Sequence, residues 1–222
     1  MVKRRALITG SSRGIGSAIA HKLKELGYLL LTPARNELDL SSNESIDHYI
    51  SILKDPVDIL INNAGINPLA SITDISDINI ESTLQINLIA PMRLIKNLAP
   101  GMIDRHYGRI INISSIWSSV SKEKRVIYSS SKAGLNAMTR SVAVELARYN
   151  ILINSIAPGF VNTELTKQNN TEKEINIIKE KIPIGRLAEP EEIAETVAFL
   201  CSDKNTYITG QTIIIDGGYT CL

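Results

Sequence analysis

The chain has 222 residues, of which 44% are hydrophobic and 21% charged, and its formal net charge is +1. This length and composition predict one soluble globular domain over residues 1–222, and the balanced charge argues against nucleic acid or a membrane surface as a partner. Two cysteines, Cys201 and Cys221, are too few for a disulfide framework and favour a cytoplasmic location, and no apolar run reaches the ~20 residues of a membrane span.

The first predicted element is a short buried strand at residues 6–9, followed by a glycine-rich turn and a helix over 17–26. Glycine lets the backbone approach a ligand closely, and the start of the helix offers free N–H groups to a pyrophosphate. The turn therefore indicates dinucleotide binding, although a plain strand–helix turn is the alternative. The residues of this turn that we expect to contact the cofactor are Gly10, Ser12, Arg13, Gly14, Ile15 and Gly16.

A second strand is predicted at residues 27–32, and its end is where the adenosine ribose of a nicotinamide cofactor would lie. NAD-binding proteins usually place an acidic residue there, whereas this chain continues Pro33-Ala34-Arg35. Guanidinium groups of Arg35 and Arg13 would pair with a 2′-phosphate, which favours NADP(H) over NAD(H). The alternative is that both arginines are ordinary surface residues, and NAD(H) stays possible.

Residues 36–40 predict a third strand, but only about four residues separate it from the second. A crossover between parallel strands needs a dozen or more residues, usually with a helix. We therefore expect a truncated third strand at the edge of the sheet and no helix before it. A helix is predicted next, over 41–53, with Ser and Asn as candidate caps.

The middle of the chain contains a buried strand at 57–61 and a long helical pattern over 74–105, with Pro91 and Pro100 as punctuation. The strand ends in small residues that let a ring or a ribose lie against the backbone. Asn87 lies inside the helical pattern, where an asparagine is more often exposed or locally bonded than functional.

Tyr128 and Lys132 lie at the start of a helix predicted over 126–149, after a strand at 109–114 that ends at Ser115. Residues four apart share a helix face, and a cation beside a phenol lowers its pKa from ~10 towards neutral pH. The pair would then act as an acid–base group, with the Ser115 hydroxyl holding a substrate oxygen. Such a pair alone is more often a solvated helix face, but here it shares a sheet edge with the glycine-rich turn.

The remaining chain predicts a strand at 151–156, an irregular segment at 160–188 with one weakly amphipathic stretch at 172–181, a helix at 189–200 and a strand at 212–215. Long irregular segments in compact domains tend to be lids or binding loops. Alternating helices and apolar strands predict an α/β fold, a single Rossmann-type doubly wound parallel sheet of about seven strands with helices on both faces. The three histidines are far apart, and we predict no metal site.

Together these motifs resemble the short-chain dehydrogenase/reductase family, and the matches extend from Thr9 to Gly218. The matching positions are the glycine-rich turn, Asn62-Asn63-Ala64-Gly65, Asn87, Ser115, Tyr128 with Lys132, and Pro158-Gly159 with Thr163. The missing segment after the second strand departs from the family and puts the adenosine pocket in question.

The resemblance implies hydride transfer between NADPH and a carbonyl or secondary alcohol. Tyr128 would donate the proton, Ser115 would polarise the carbonyl oxygen, Lys132 would bind the nicotinamide ribose and lower the Tyr128 pKa, and Asn87 would hold a relay water. Besides the glycine-rich turn and Arg35, the implied cofactor contacts are Asp39, Leu40, Asn63, Ala64, Gly65, Tyr128, Lys132, Pro158, Gly159, Val161 and Thr163. The resemblance also implies a homodimer or homotetramer.

The substrate is less defined. The sequence is most similar to 3-oxoacyl-[acyl-carrier-protein] reductases, and the rival is a sugar or nucleotide-sugar substrate in surface polysaccharide synthesis. An acidic carrier protein would suit a basic patch of Lys122, Lys124 and Arg125, which would equally suit a solvated loop. Trp117 would stack on a sugar or cover the pocket. A protein that binds a dinucleotide without catalysis is the remote alternative.

Overall fold

A computed structural model describes residues 3–221. Its strands are β1 (Arg5–Ile8), β2 (Leu29–Leu31), β3 (Ile59–Asn62), β4 (Gly108–Ile113), β5 (Ile151–Pro158) and β6 (Thr212–Ile215). They form one sheet in the order β2-β1-β3-β4-β5-β6, and every neighbouring pair is parallel. The predicted doubly wound parallel α/β sheet is therefore confirmed, with six strands.

Helices cover both faces of this sheet. They are α1 (Gly14–Glu25), α2 (Asn43–Ser51), α3 (Asp77–Leu84), α4 (Ala90–Asp104), α5 (Val126–Leu146), α6 (Glu164–Asn169), α7 (Glu172–Lys181) and α8 (Pro190–Cys201). One core cluster packs α1 and α8 against the sheet, and the other packs α2, α4 and α5 against the opposite face. Among residues 3–221, no helix is both long enough and apolar enough to cross a membrane.

The central strands form because their apolar runs are buried on both sides, as expected for a covered parallel sheet. Every residue of β3, β4 and β5 is buried. Successive side chains point to opposite faces, so Leu60 joins the cluster with α2, α4 and α5, whereas Ile61 joins the cluster with α1 and α8.

The predicted third strand at residues 36–40 does not form. The chain turns directly after β2, because the backbone N–H groups of Glu37 and Leu38 both donate to the Ala34 carbonyl at 3.0 Å. Leu38 and Leu40 are buried in the core beside α2 instead of extending the sheet. This turn closes with Ser42, whose hydroxyl caps α2 by accepting from the Ser45 N–H at 3.1 Å.

The predicted helix over 74–105 is continuous from Asp77 to Asp104, but its middle is a π-helical segment, Gln85–Ile89, between α3 and α4. Asn87 lies in this segment, and Pro91 follows it by four residues. Proline has no N–H to donate, so the Asn87 carbonyl lacks its α-helical partner. Single π-turns inside helices occur frequently at functional sites.

The segment predicted to be irregular at 160–188 contains two helices, α6 and α7. Thr163 caps α6, and Thr171 forms a capping box with Glu174 at the start of α7. The pattern was weak because α7 buries only Ile178, so few apolar positions mark it.

Candidate active site

The glycine-rich turn joins β1 to α1 at the carboxyl edge of the sheet. Gly10 and Gly14 have positive φ angles of 66° and 54°, and a Cβ at Gly16 would collide with the Gly10 carbonyl. The Asn63 amide donates to the carbonyls of Thr9 and Gly10 at 3.0 and 2.9 Å and so fixes the turn. This cradle at a helix start has the space and the N–H donors that a diphosphate requires.

A cleft of about 370 Å³ opens from this turn across the strand ends. The predicted residues that line it are Gly10, Ser12, Arg13, Gly14, Ile15, Gly16, Asn63, Ala64, Gly65, Ser115, Tyr128, Lys132, Pro158, Gly159, Val161 and Thr163. A second cavity of about 530 Å³ shares Gly10, Ser12, Ala64 and Gly65 with it and is walled by Arg35, Asp39 and Leu40. The two cavities are therefore neighbours along one groove, with Tyr128 and Arg35 in opposite parts.

The turn after β2 supplies the wall for which a third strand was expected. The Arg35 side chain is 80% exposed, and its Nε lies 3.7 Å from Asp39 Oδ1. Asp39 also accepts from the Ser41 hydroxyl and N–H, which lowers the pKa of the Asp39 carboxyl. Arg35 therefore keeps donors free for a ligand anion. Glu37, which the sequence reasoning passed over, accepts from the Ala34 N–H at 2.7 Å and adds a carboxylate to this turn.

Ser115 and Tyr128 line the other end of the groove. Ser115 follows β4 directly, and its hydroxyl accepts from the Trp117 N–H at 3.2 Å. Burial raises the pKa of Tyr128, and the Ser115 hydroxyl and the Arg125 charge act in the opposite direction. Arg125, three residues before Tyr128, is therefore a cation that favours the ionised phenol.

Lys132 lies beside Tyr128 on α5 and makes its side-chain hydrogen bond to the end of β4. Its Nζ donates to the Ile113 carbonyl at 2.7 Å and lies 5.7 Å from the centre of the Tyr128 ring. Burial lowers the pKa of Lys132 to about 8. That Lys132 lowers the Tyr128 pKa stays a prediction: its ammonium lies over the Tyr128 ring, and its side-chain hydrogen bond goes to the end of β4.

Asn87 lies behind the cleft, and its side chain joins two elements of the site. Its amide donates to the Ile66 carbonyl at 2.9 Å and to the Ser131 hydroxyl at 3.1 Å, and its Oδ1 accepts from the Ile66 N–H at 2.9 Å. The amide thus fixes the loop after β3 to α5.

Arg13 spans the mouth of the cleft. Its Nη1 lies 2.9 Å from Glu164 Oε2, so an ion pair joins the glycine-rich turn to α6. Both side chains are more than half exposed. Arg13, expected beside a 2′-phosphate together with Arg35, is thus paired with a carboxylate in the protein chain.

The aromatic residues beside the site form a cluster that the sequence did not reveal. Trp117 is 8% exposed and packs edge-on against Phe160 and Tyr219, with ring centres 5.9 and 6.5 Å away. Trp117 is therefore buried among these rings and does not offer an open face for a sugar. Tyr219 is 102 residues from Trp117 in the chain, and no local pattern indicates their contact.

The three residues of the proposed basic patch do not share one exposed surface. Lys122 and Lys124 are exposed, whereas Arg125 is buried. Of these three residues, Lys122 and Lys124 face solvent.

A family model described as enoyl-(acyl carrier protein) reductase matches residues 31–220. A 3-oxoacyl-[acyl-carrier-protein] reductase of Aquifex aeolicus is 38% identical over 96% of this chain and 96% of its own length. Among solved structures, a gluconate 5-dehydrogenase from Burkholderia cenocepacia in complex with NADP and tartrate has a TM-score of 0.94 at 29% identity, covering 99% of this chain and 96% of that one. A 4-hydroxyisoleucine dehydrogenase mutant complexed with NADH and succinate has a TM-score of 0.94 at 30% identity and covers 99% of each chain.

Proposed function

The chain belongs to the short-chain dehydrogenase/reductase family, and from this we propose that it transfers a hydride between NADPH and a carbonyl carbon or secondary alcohol. One observation carries the proposal. A single groove runs from Arg35, past the glycine-rich turn, to Ser115 and Tyr128. It offers an anion-binding helix start in its middle and an acid–base group at one end.

The nicotinamide ring, when bound, supplies or accepts the hydride. Tyr128 gives its hydroxyl proton to the carbonyl oxygen during reduction, and Ser115 donates a hydrogen bond to the same oxygen. Lys132 uses one of its three N–H donors on Ile113 and has two for the ribose hydroxyls. Asn87 holds a water that returns a proton to the site.

We assign NADP(H) as the preferred cofactor because the exposed Arg35 guanidinium suits a 2′-phosphate. Asp39 and Glu37 at the same turn would suit the ribose hydroxyls of NAD(H), which stays the second choice. The two solved neighbours are described with NADP and with NADH, so both cofactors fit this fold.

For the substrate, a 3-oxoacyl group on an acyl carrier protein is supported by the Aquifex relative and by the exposed Lys122 and Lys124 in the loop before α5. A sugar-type substrate is supported by the gluconate 5-dehydrogenase neighbour. The proposal also includes a cytoplasmic location. A non-catalytic dinucleotide-binding protein is the remaining alternative, and it does not explain why Ser115 and Tyr128 share one cleft.

Titration with NADPH and NADH, followed by nicotinamide fluorescence, tests the cofactor assignment. We expect NADPH to bind at least about tenfold more tightly, and Arg35→Ala to remove that preference, because one charged hydrogen bond is worth about 1.5–3 kcal/mol. Arg140→Ala, an exposed arginine on α5, is the control and should keep it. Equal affinities in the native protein would refute the 2′-phosphate role.

Tyr128→Phe tests the chemistry. We expect turnover to fall on the order of 10²-fold or more because the proton donor is lost, while NADPH affinity changes little. Tyr207→Phe, at a side chain that is 95% exposed, is the matched control and should keep full activity. Near-native turnover of Tyr128→Phe in steady-state assays would exclude Tyr128 as the acid.

A further inference from the structure

Arg125 is a buried cation at the start of α5. It is 7% exposed, although it follows two exposed lysines in the same loop. It precedes Tyr128 by three residues, so the two side chains leave the same face of the helix. Its Cζ lies 5.8 Å from the centre of the Trp117 ring, beside Ser115.

Nothing in the described chain neutralises Arg125. Its Nη1 is buried without a hydrogen-bond partner, and within residues 3–221 its guanidinium forms no ion pair. Burial lowers the pKa of Arg125, and Tyr128 acts in the opposite direction. Burying a cation without an anion costs free energy of folding, and a partner from outside the chain would offset this cost.

A second buried arginine shows the contrast. Arg109 is 3% exposed, but its guanidinium donates to the carbonyls of Gly108, Asn150 and Asn205 at 2.8, 3.0 and 3.3 Å. The Arg109 guanidinium therefore stabilises the fold by binding three backbone carbonyls. Arg125 makes no comparable bonds within residues 3–221 and is adjacent to the proposed acid–base group.

We propose that Arg125 binds a carboxylate of the substrate while the reacting carbonyl lies at Ser115 and Tyr128. This inference rests on the proposed function and narrows its substrate to a small oxo acid or hydroxy acid. A guanidinium binds a carboxylate through two parallel N–H···O bonds and fixes its orientation. A neutral thioester or an uncharged sugar offers no such group, so the assignment favours a free acid over either.

Binding can be tested without turnover, because Trp117 is the only tryptophan of the sequence and lies beside Arg125. We expect succinate to change its fluorescence saturably in the native protein, and Arg125→Gln to weaken this binding about 10- to 100-fold. Lys122→Gln removes one charge from the same loop at an exposed position and should bind like the native protein. Equal binding of succinate by the Arg125→Gln variant, or equal binding of sulfate and succinate by the native protein, would overturn the carboxylate assignment.

Turnover gives the second test, with oxo acids of four to six carbons and their methyl esters. We expect kcat/KM in Arg125→Gln to fall about 10- to 100-fold more for the acids than for the esters, because both lose the effect of Arg125 on the Tyr128 pKa and only the acids lose the carboxylate contact. An equal fall for acids and esters would mean that Arg125 acts only through Tyr128 and would overturn the proposal. If no carbonyl is reduced but succinate binding still depends on Arg125, the proposed function fails while the anion site stands.

Discussion

At the scale of single residues, Lys132 is an ammonium group buried at the floor of the cleft. It is 3% exposed, and its side-chain hydrogen bond within the described residues goes to the neutral carbonyl of Ile113. Burial lowers its pKa to about 8 from an ordinary value of 10.5. Below pH 8 both the folded and the unfolded chain carry the proton, so the folded state bears the full cost of burying the charge.

This placement predicts an unusual pH dependence of stability. Above pH 8 the folded state releases the Lys132 proton before the unfolded chain does, so stability rises until the unfolded chain also releases it. Relative to Lys132→Met, the native free energy of unfolding should increase by about 2 kcal/mol between pH 7 and 9.5. Urea unfolding across this range measures it.

Lys173→Met, at an exposed position of α7, is the control for that experiment and should follow the native protein throughout. A constant difference between the native protein and Lys132→Met across the range would contradict the buried-charge interpretation.

At the scale of elements, a chain of buried polar side chains joins three strands to α5. The Asn62 amide donates to Asn112 Oδ1, the Asn112 amide donates to Thr139 Oγ1, and the Thr139 hydroxyl contacts the Ser155 hydroxyl, each at 2.8 Å. Because α5 also carries Tyr128 and Lys132, these bonds fix the helix relative to the strand ends that form the cleft.

Thr139→Val should break this connection, because it leaves the Asn112 amide and the Ser155 hydroxyl without their shared partner. We expect a loss of about 1–3 kcal/mol in the free energy of unfolding, measured with guanidinium chloride. The control is Ser141→Ala, which removes an exposed hydroxyl that donates to the Ala137 carbonyl of the same helix. It should lower the free energy of unfolding by less than about 0.5 kcal/mol. Equal effects of the two substitutions would show that the buried chain adds nothing.

How far the sequence predicts these elements depends on where their determinants lie. The strands β3, β4 and β5 and the helix α5 are readable because their apolar runs are long and local. The turn after β2 is not, because the burial of Leu38 and Leu40 against α2 decides it. A local sequence pattern likewise does not indicate that Arg125 lacks an ion-pair partner among residues 3–221, because this depends on the positions of carboxylates far away in the sequence.

At the scale of the whole molecule, several apolar side chains remain on the surface of α3, the π-helical segment, α4 and α5. These are Ile78, Ile89, Met92, Val126 and Val144, exposed by 68%, 42%, 49%, 40% and 86%. Exposed apolar residues on neighbouring elements commonly mark an interface. We propose that this surface joins copies of the chain into a dimer or tetramer.

Val144→Lys tests the proposed interface. A charge placed in an apolar contact should dissociate the oligomer, so the molar mass should fall from a multiple of 24.4 kDa towards the 24.4 kDa of one chain. Light scattering coupled to size-exclusion chromatography measures this change. Ile52→Lys, at a comparably exposed apolar residue after α2, should leave the mass unchanged. A native protein that elutes as a monomer would rule out the interface.

The open edge at β2 has a consequence for solubility. A sheet that ends in an exposed strand offers unpaired N–H and C=O groups on which another chain can add, which is how edge-to-edge aggregation begins. Here that strand has only three residues, Leu29–Leu31, and Pro33 follows close behind without an N–H. About two backbone groups of each kind face outward, too few to template a strand. The short edge at β2 therefore does not offer an aggregation site.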